Sequence, residues 1–595
     1  MMQTAFLAAV LFVTVGAQAA TPDKTVATPD KPSAAQAAAS SVFESTVPPA
    51  PQGPLDHIVF AKLSALGIKP VLCSDAVFVR RAFLDVIGTL PTAQEAREFI
   101  ENSDAKNKYR ELIDRLLERR EFADYWGMKW GDLLRIKAEF PVNLWPNAAQ
   151  AYHRWVWESI TQNKPYDKFV RELLTSSRSN FRVGPVNFYR AVQNRTPEGI
   201  AGAVALTLLG SRAESWPKGR LTGMAVFFSQ IGYKATREWK EENVFWDPLS
   251  TSPTTGNDPE SEKTVLAKDA SPLANRGPLV AVFPDGTQVT LPPNRDPREV
   301  FADWLITPKN PWFAKNIVNR TWSWLLGRGI IHEPDDIRDD NLPSNPALLA
   351  YLEKELVASH YDLKHVYRLI LNSQAYRFSS VPRFSGVKAE ANFASYPLRR
   401  LDAEVLIDAV NQITGTSDLY TSAIPEPFTY IPPDKPAIAL ADGSITSPFL
   451  ALFGRSARAT GLENERTNKP VPAQWLHMLN SSHIQSKLEQ GPKLRAIITV
   501  SRTSIRKPAE IAEELYLTIL SRFPTPDELQ AAKDYAASVA AKPATPAKPV
   551  AAAKSGKSGK YGKYAARQSP VYVTRENWID VAWALINSTE FLYRH

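Results

Sequence analysis

Cysteine is almost missing from this chain of 595 residues, in which Cys73 is the only thiol. A single cysteine cannot form an intrachain disulfide, and it cannot supply the two thioether bonds that attach haem covalently. The folded state must therefore be stabilised by packing rather than by cross-links. With 44% apolar residues and 15 tryptophans, the chain has enough material for more than one sizeable core.

The sequence also lacks the short motifs of common enzyme classes. Its eight histidines show no His-Glu-x-x-His spacing, and we find no Gly-x-Ser-x-Gly elbow, phosphate-binding glycine loop or dinucleotide fingerprint. These absences lower the expectation of an enzyme without excluding one. No apolar run after the first twenty residues is long enough to cross a bilayer, so we expect no transmembrane segment in the mature chain.

Excess positive charge is confined to one segment. Seven Lys and Arg residues and no acids lie between residues 541 and 567, and they account for all but one unit of the net charge of +8. The rest of the chain is near neutral, so we do not expect nucleic-acid binding. Residues 541–570 are interpreted as a solvated Lys-rich insertion of low complexity, with attraction to an anionic polysaccharide or membrane surface as the alternative.

The first residues have the pattern of a secretory signal. An apolar run at residues 5–15 is followed by the small-residue pattern Ala17-Gln18-Ala19, although no Lys or Arg precedes the run. We therefore predict a signal peptide at residues 1–19 and a periplasmic or extracellular protein. Residues 20–54 are rich in Ala, Pro, Ser and Thr, a composition that predicts a linker.

Helical periodicity dominates from residue 55 to about Trp246 and returns after residue 296. Residues 78–87 repeat apolar side chains at intervals of three and four, and Gly88 is expected to end that helix. Thr92 and Glu95 have the spacing of a capping box, which predicts a new helix there.

A period of two replaces the helical pattern at residues 279–291. Two alternating runs flank Asp285-Gly286, a pair that tolerates the positive φ of a tight turn, so this stretch predicts a β-hairpin. The chain is thus predicted to be mainly α, with helical domains at residues 55–248 and 296–595 joined by a β-hairpin-containing insert at residues 249–295.

Three short stretches resemble one another. Residues 116–122, 370–376 and 585–591 each place two aliphatic side chains ahead of an aromatic one near a helix end, and Thr525 with Glu528 repeats the capping box. We interpret this similarity as a repeated helix pair.

Several segments together resemble a known family. FVRRAFLDVIGTLPTAQEAREFI (78–100), PYDKFVRELL (165–174) and NFYRA (187–191) are similar to a planctomycete-type secreted domain, domain of unknown function fifteen-forty-nine. Residues 296–352, RRLDAEVLIDAV (399–410) and WALINSTEFLYRH (583–595) resemble its usual partner, domain of unknown function fifteen-fifty-three. The resemblance covers nearly all of the chain from residue 55 and implies a cytochrome c-associated family of paired helical domains.

Relatives in this family often carry c-type haem through a Cys-x-x-Cys-His motif after a helix ending in Leu-Gly. Here Leu208-Leu209-Gly210 is followed by Ser211-Arg212-Ala213-Glu214-Ser215, so both thiols and the histidine are missing. A second family feature, a Cys-Glu-Cys-Glu-Arg-like run, reads Gly461-Leu462-Glu463-Asn464-Glu465-Arg466 and also lacks thiols. We expect a form without covalent haem, and the sequence implies no other cofactor.

Charged residues concentrate in two stretches of the second half. The candidate polar cluster comprises Arg399, Arg400, Asp402, Glu404, Asp408, Arg455, Arg458, Glu463, Glu465, Arg466 and His477. On a helix, Arg400, Glu404 and Asp408 would share one face and form a ladder of ion pairs. The cluster could bind a sulfated or carboxylated saccharide or place two carboxylates for acid–base chemistry. The structural interpretation, a buried ion-pair network joining helices, is the one we favour.

Two weaker candidates have simpler explanations. The acidic loop at residues 333–341 could bind calcium through Asp335, Asp336, Asp339 and Asp340, but it lacks EF-hand spacing, and caps or ion pairs also explain its acids. Trp126 with Trp130, and Trp322 with Trp324, could form a sugar-stacking platform, but helical spacing of tryptophan more often indicates core.

The favoured functional hypothesis is a secreted, haem-free interaction or scaffold protein of a cell-envelope complex, with envelope proteins or anionic polysaccharide as partners. One alternative is a carbohydrate-active enzyme that uses carboxylates such as Glu404, Asp408, Glu463 or Glu465. Another is an electron-transfer protein with a non-covalent cofactor. Carboxyl groups about 5–10 Å apart across an open cleft would favour the enzyme, whereas carboxylates paired with arginines would favour the scaffold.

Overall fold

Several helices begin at a residue whose side chain caps the first turn. The Thr92 hydroxyl accepts a hydrogen bond from Glu95 N, and the Glu95 carboxylate accepts one from Thr92 N, which confirms the predicted capping box. The helix that starts at Asp75 ends at Val86, and Gly88 follows with a φ of +66°, as predicted.

The computed structural model describes residues 42–250, 278–384, 386–498, 507–540 and 575–595. The α-helices are α1 (Pro54–Ala65), α2 (Asp75–Val86), α3 (Ala93–Glu101), α4 (Lys108–Leu117), α5 (Arg120–Leu133), α6 (Pro146–Thr161), α7 (Tyr166–Thr175), α8 (Asn187–Arg190), α9 (Pro197–Val204), α10 (Lys218–Ala225), α11 (Pro297–Leu305), α12 (Phe313–Leu326), α13 (Pro346–Ala358), α14 (Leu363–Leu371), α15 (Val387–Ala391), α16 (Ala403–Thr414), α17 (Pro448–Leu452), α18 (Pro472–Asn480), α19 (Ser482–Gln490), α20 (Pro492–Ile498), α21 (Pro508–Leu520), α22 (Pro526–Ala540), α23 (Arg575–Ile586) and α24 (Thr589–Leu592). The strands are β1 (Arg178–Ser179), β2 (Ile231–Ala235), β3 (Glu242–Trp246), β4 (Val280–Val282), β5 (Gln288–Thr290), β6 (Arg399–Arg400) and β7 (Tyr593–Arg594). The predicted mainly α class is confirmed.

Strand pairing is limited to small sheets. Strands β4 and β5 pair antiparallel, and Gly286 in their turn has a φ of +90°, which confirms the predicted hairpin. A second sheet has the order β1-β3-β2, so the helical pattern extended to Trp246 was wrong over its last part. Val244 of β3 is fully buried and lies opposite Tyr233, whereas its neighbours along the strand are partly exposed.

Four predicted segments lie wholly or partly outside the described residues: the signal peptide at residues 1–19, the first part of the linker up to residue 41, residues 251–277 of the insert predicted at residues 249–295, and the Lys-rich insertion at residues 541–570. Tertiary contacts begin ahead of the predicted domain boundary at residue 55, because Glu44 forms a β-bridge with Cys73 and an ion pair with Arg383. Among the described helices, none combines the length and apolar character of a membrane span.

The predicted similarity corresponds to matching turns in two of the three stretches, residues 370–376 and 585–591. After α14, Ser373 Oγ donates to Ile370 O and accepts from Tyr376 N, at 2.6 and 3.2 Å. After α23, Ser588 makes the same bonds with Leu585 O and Phe591 N, at 2.7 and 3.2 Å. The repeated element is thus a helix, a serine-capped turn and a buried aromatic ring.

Helix α2 lies in the interior and joins these turns. Arg80 donates to Ile519 O at 2.8 Å and to Phe591 O at 2.9 Å, and the adjacent Arg81 donates to Tyr376 O and to His595 O. All described residues fall within one compact unit with a continuous hydrophobic core. The predicted first and second halves therefore share that core.

Candidate functional site

The centre of the predicted cluster is Glu404, in the first turn of α16. Its side chain is fully buried and accepts from Arg455 Nε at 3.2 Å and from the two terminal nitrogens of Arg466 at 2.6 and 3.0 Å. Burial by itself would raise the pKa of Glu404, but the charge and hydrogen bonds of Arg466, together with Arg455, lower it to about 2. The carboxylate is therefore ionised and fully engaged by arginines.

Asp402 precedes α16 and has three further partners. Lys129 Nζ, Arg594 Nη2 and Asn468 Nδ2 each lie 2.9 Å from its carboxylate oxygens. Burial opposes ionisation, yet the charge of Lys129 and then that of Arg594 hold the pKa of Asp402 well below its usual range. This carboxylate joins α5 and β7 to the start of α16.

Arg466 connects Glu404 to Asp132 of α5. Its Nε and Nη2 atoms lie 2.9 and 2.7 Å from Asp132 Oδ2, and Arg458 Nε lies 2.9 Å from Asp132 Oδ1. Two carboxylates and two arginines thus alternate across the interface between α5 and α16. We call this ion-pair network, together with Arg455, Asp402, Lys129, Arg594 and Asp85, the central network.

The predicted ladder of Arg400, Glu404 and Asp408 was wrong. Arg400 lies in β6 opposite Tyr593, ahead of α16, and its guanidinium donates to main-chain carbonyl oxygens, including Phe453 O at 2.7 Å. Asp402 ends the extended segment before the helix begins, so Arg400 and Glu404 do not share a helical face. The neighbouring Arg399 likewise donates to carbonyl oxygens, those of Trp324 and Leu325.

Asp408 is separated from the arginines. Its two carboxylate oxygens accept from Ala437 N at 2.8 Å and from Ile438 N at 3.0 Å. Burial, and then the negative charges of Glu404 and Asp418, raise the pKa of Asp408 to about 7, against the opposing effect of the two amide bonds. Among the candidate carboxylates, this one is poised to change charge near neutral pH.

The remaining acids of the cluster have local partners. Glu463 Oε2 accepts from Trp324 Nε1 at 3.2 Å and lies 3.5 Å from Arg320 Nη1, and partial burial of this side chain, which is 40% exposed, raises its pKa. Glu465 accepts main-chain bonds from Ala459 and Thr460. These residues fold the 461–466 run against itself and against α12.

His477 lies on α18, away from the central network. Its ring packs edge-on against Phe449 and lies 5.8 Å from the ring of His483. Burial and the proximity of His483 lower the pKa of His477. His483 pairs with Asp418, with Nε2 2.7 Å from Oδ1.

The calcium candidates do not converge. Asp335 is buried and pairs with Arg320 at 2.6 Å, whereas Asp336 and Asp340 pair with Arg338 at 2.8 and 3.4 Å. Asp339 is exposed. Within the residues that the structure describes, no group of three or more His, Cys, Asp or Glu side chains is arranged to hold a metal ion. Three of the four candidate aspartates are thus engaged in ion pairs with arginine rather than grouped as calcium ligands.

The side chains of the segment in the position of the family's haem motif bind one another and the loop that contains Glu333. After a π-helical turn at Ala205–Leu209, Ser211 Oγ accepts from Trp216 Nε1 at 2.8 Å, and Arg212 pairs with Glu333 at 2.8 Å. The segment offers neither sulfur for attachment nor an imidazole for axial ligation. These residues do not fit a covalently bound haem.

Gly210 allows the chain before this segment to pass close to Asn316 and Pro334. Alanine at this position is therefore expected to lower the free energy of unfolding by about 2–3 kcal/mol. Its φ is +63°, and an added Cβ would lie 2.5 Å from Asn316 Oδ1 and 3.0 Å from Pro334 O. Denaturant titration of Gly210→Ala measures the effect. The control is Gly219→Ala in nearby α10, where a Cβ meets nothing within 4 Å and where alanine should be neutral or mildly stabilising. Equal stability of the two variants would contradict this account of Gly210.

The tryptophans considered as a sugar platform belong to the core. Trp126, Trp130, Trp322 and Trp324 are all buried. A cavity beside the first two, between α5, α6, α7 and α14, has a volume of about 40 Å³. Ligand pockets commonly enclose roughly 300 Å³ or more, so this space is too small for a sugar ring.

The central network includes residues that the sequence did not single out. Lys129 and Asp132 come from α5, Arg594 comes from β7, and the buried Asp85 of α2 lies 3.3 Å from Arg594 Nη1. Lys129 and Asp132 are separated by three positions on one helix, a spacing that places them on one face. That spacing was the available signal, but nothing local identified their partners.

Two family models match the chain. PSCyt2, a protein of unknown function (DUF1549), matches residues 54–205, and PSD1, a protein of unknown function (DUF1553), matches residues 297–536. No curated protein and no solved structure matches the chain. The two models cover the segments that carried the resemblance, except residue 296 and the closing segment at residues 583–595. The chain therefore belongs to the family that pairs these two domains of unknown function.

Proposed function

We propose that this protein is a haem-free interaction or scaffold protein of a cell-envelope complex, and that it performs no catalysis at its charged cluster. It works outside the cytoplasm after removal of a signal peptide. Its partners are envelope proteins or anionic polysaccharide.

One observation carries this proposal: the two carboxylates at the centre of the candidate cluster are paired with internal cations. Glu404 is held by Arg455 and Arg466, and Asp402 by Lys129 and Arg594. A typical glycoside hydrolase needs two carboxyl groups that face substrate across an open cleft. A network of buried, fully paired charges instead fixes the relative position of the elements that carry them.

A carbohydrate-active enzyme is the second candidate, and Asp408 is the residue that favours it. A carboxyl group with a pKa of about 7, beside Glu404 and Asp418, has the protonation behaviour of a general acid. Against this role, both of its oxygens bind main-chain amides of Ala437 and Ile438. Asp408→Asn discriminates, because an enzyme would lose turnover whereas a scaffold would change only in stability.

Co-purification from the native envelope tests the proposal. The tagged, full-length protein is cross-linked in intact cells, and retained proteins and sugars are identified by mass spectrometry, with a tagged exported protein of similar size as the control. We expect specific protein partners and no release of reducing sugar from a panel of polysaccharides. Failure to retain any protein or polysaccharide, or steady hydrolysis, would overturn the proposal. Visible absorbance in the pure protein would instead support electron transfer by a bound cofactor.

Export gives a separate prediction. Cleavage after Ala19 should leave a mature protein that begins at Ala20, because Ala17-Gln18-Ala19 is a small-residue cleavage pattern. Intact-mass measurement of protein from the envelope fraction reads this end directly. Full-length protein that remains with the cytoplasmic fraction would contradict the predicted signal.

A further inference from the structure

Two neighbouring loops display aromatic side chains to solvent, in contrast to the buried tryptophans. Phe140 lies in the loop of residues 138–145, and Phe428 and Tyr430 lie in the loop of residues 421–436. Their exposed fractions are 80%, 47% and 66%, respectively. We call these three side chains the aromatic platform. Exposed aromatic side chains on adjoining loops can mark a binding site.

The two loops are tied to each other at their bases. The Glu139 carboxylate accepts from Ser422 Oγ at 3.0 Å and from Ala423 N at 2.9 Å. The rings of Trp145 and Phe428 lie 5.2 Å apart, so the loops also share an apolar contact. Phe140 follows Glu139 directly in the chain, which places it beside the second loop.

Both loops are held in defined conformations. In the first, Trp145 N donates to Ala138 O at 3.1 Å and closes the loop. The second contains five prolines, at positions 425, 427, 432, 433 and 436, and a β-bridge between Thr421 and Thr446 fixes its start. Proline restricts the backbone, so the aromatic side chains are presented with little conformational entropy left to lose on binding.

The charge on these loops indicates the chemistry of the ligand. The loop of residues 421–436 carries Glu426, Asp434 and Lys435, a net charge of −1, and Glu139 is already engaged. No excess of cations is present in either loop to attract a sulfated or carboxylated polymer or a nucleic acid. The ligand that fits is uncharged.

The size of the aromatic platform argues against a stable protein interface. An aromatic side chain can bury about 150–250 Å², so three partly exposed ones offer roughly 400 Å². A stable protein–protein interface takes about 800 Å² from each partner. A sugar ring, by contrast, is about as large as an aromatic ring and presents an apolar face of C–H groups to it.

We propose that the aromatic platform binds an uncharged polysaccharide by stacking sugar rings on Phe140, Phe428 and Tyr430. This inference rests on the proposed interaction function and names a partner for it. It differs from the attraction of the Lys-rich insertion to anionic polymers, because ring stacking does not depend on salt.

Pull-down on insoluble polysaccharide tests the proposal with full-length protein. The probes are cellulose, chitin and starch granules, with alginate beads as the anionic comparison, at 0.1 and 1 M NaCl. The double variant Phe140→Ala/Tyr430→Ala removes two exposed rings, so its thermal stability should equal that of wild type. The matched control is Trp239→Ala, a ring that is 69% exposed on the turn between β2 and β3.

We expect wild type and the Trp239→Ala variant to bind at least one uncharged polysaccharide at both salt concentrations, and the double variant to bind about tenfold more weakly or worse. Absence of binding to all three uncharged probes would overturn the proposal, as would equal binding by the double variant or loss of binding at 1 M NaCl. If the platform fails while envelope proteins still co-purify, the proposed scaffold function stands and only its sugar partner falls.

Discussion

Glutamine in place of Glu404 is expected to lower the free energy of unfolding by about 3–5 kcal/mol at pH 7. The substitution preserves shape but removes the negative charge that faces Arg455 and Arg466. Arg466 keeps Asp132 as a partner, whereas Arg455 pairs with no carboxylate other than Glu404 among the described residues. The cost is that of leaving a buried guanidinium without a counter-charge. Chemical denaturation followed by circular dichroism measures it.

An exposed pair supplies the control for Glu404. Asp340 pairs with Arg338 at 3.4 Å, and its side chain is 75% exposed, so Asp340→Asn should change stability by less than about 1 kcal/mol. An active-site carboxylate would behave differently, since removing it commonly leaves stability equal or improved while activity is lost. If the Glu404→Gln variant is as stable as wild type, the central network does not have the structural role described here.

Asparagine in place of Asp408 is expected to change how stability depends on pH. The folded-state pKa of Asp408, about 7, lies above the value of an unfolded aspartate. Between about pH 4 and 7 the native protein therefore keeps a proton that the unfolded chain has already released. Protonated Asp408 contributes its full stability below about pH 4, and this contribution is lost as the pH rises from 4 through 7. The loss is at most about 4 kcal/mol.

The measurement compares Asp408→Asn with wild type at several pH values from 4.5 to 8.5. Burial lowers the pKa values of His153 and His595 to about 3, so their contributions to stability increase as the pH rises. These contributions are the same in both proteins. The difference between the two proteins therefore isolates Asp408. The variant should gain stability relative to wild type as pH rises. A difference that does not vary with pH would refute the raised pKa.

Local features of the fold could be predicted from the sequence. The capping box at Thr92 and Glu95, the left-handed Gly88 and the hairpin around Gly286 each depend on a few adjacent residues. The short sheet of β1, β2 and β3 was missed because its strands are brief and lie within a helical domain. Two-residue strands such as β1 have no periodicity to detect.

The site was predicted in part, for a similar reason. Glu404 lies in one dense run of charge and Arg455 and Arg466 lie in another, and the structure brings the two runs together. Asp132 and Arg594 complete the central network from positions far away in sequence, and no local pattern identifies such partners. The ladder through Arg400 failed because a helical period was applied to a residue that lies in a strand.

The contacts of Arg80 in α2 have a consequence for how this protein folds. Its hydrogen bonds to Ile519 O and Phe591 O cross 439 and 511 positions of sequence. At ribosomal rates of about 5–20 residues per second, roughly half a minute to two minutes separate the synthesis of the two sides of the longer contact. Until then the Arg80 guanidinium lacks these carbonyl acceptors, although Phe78 of the same helix can already pack on Phe99 and Tyr109. Folding is therefore completed only after synthesis ends, with one of the earliest helices waiting for the last.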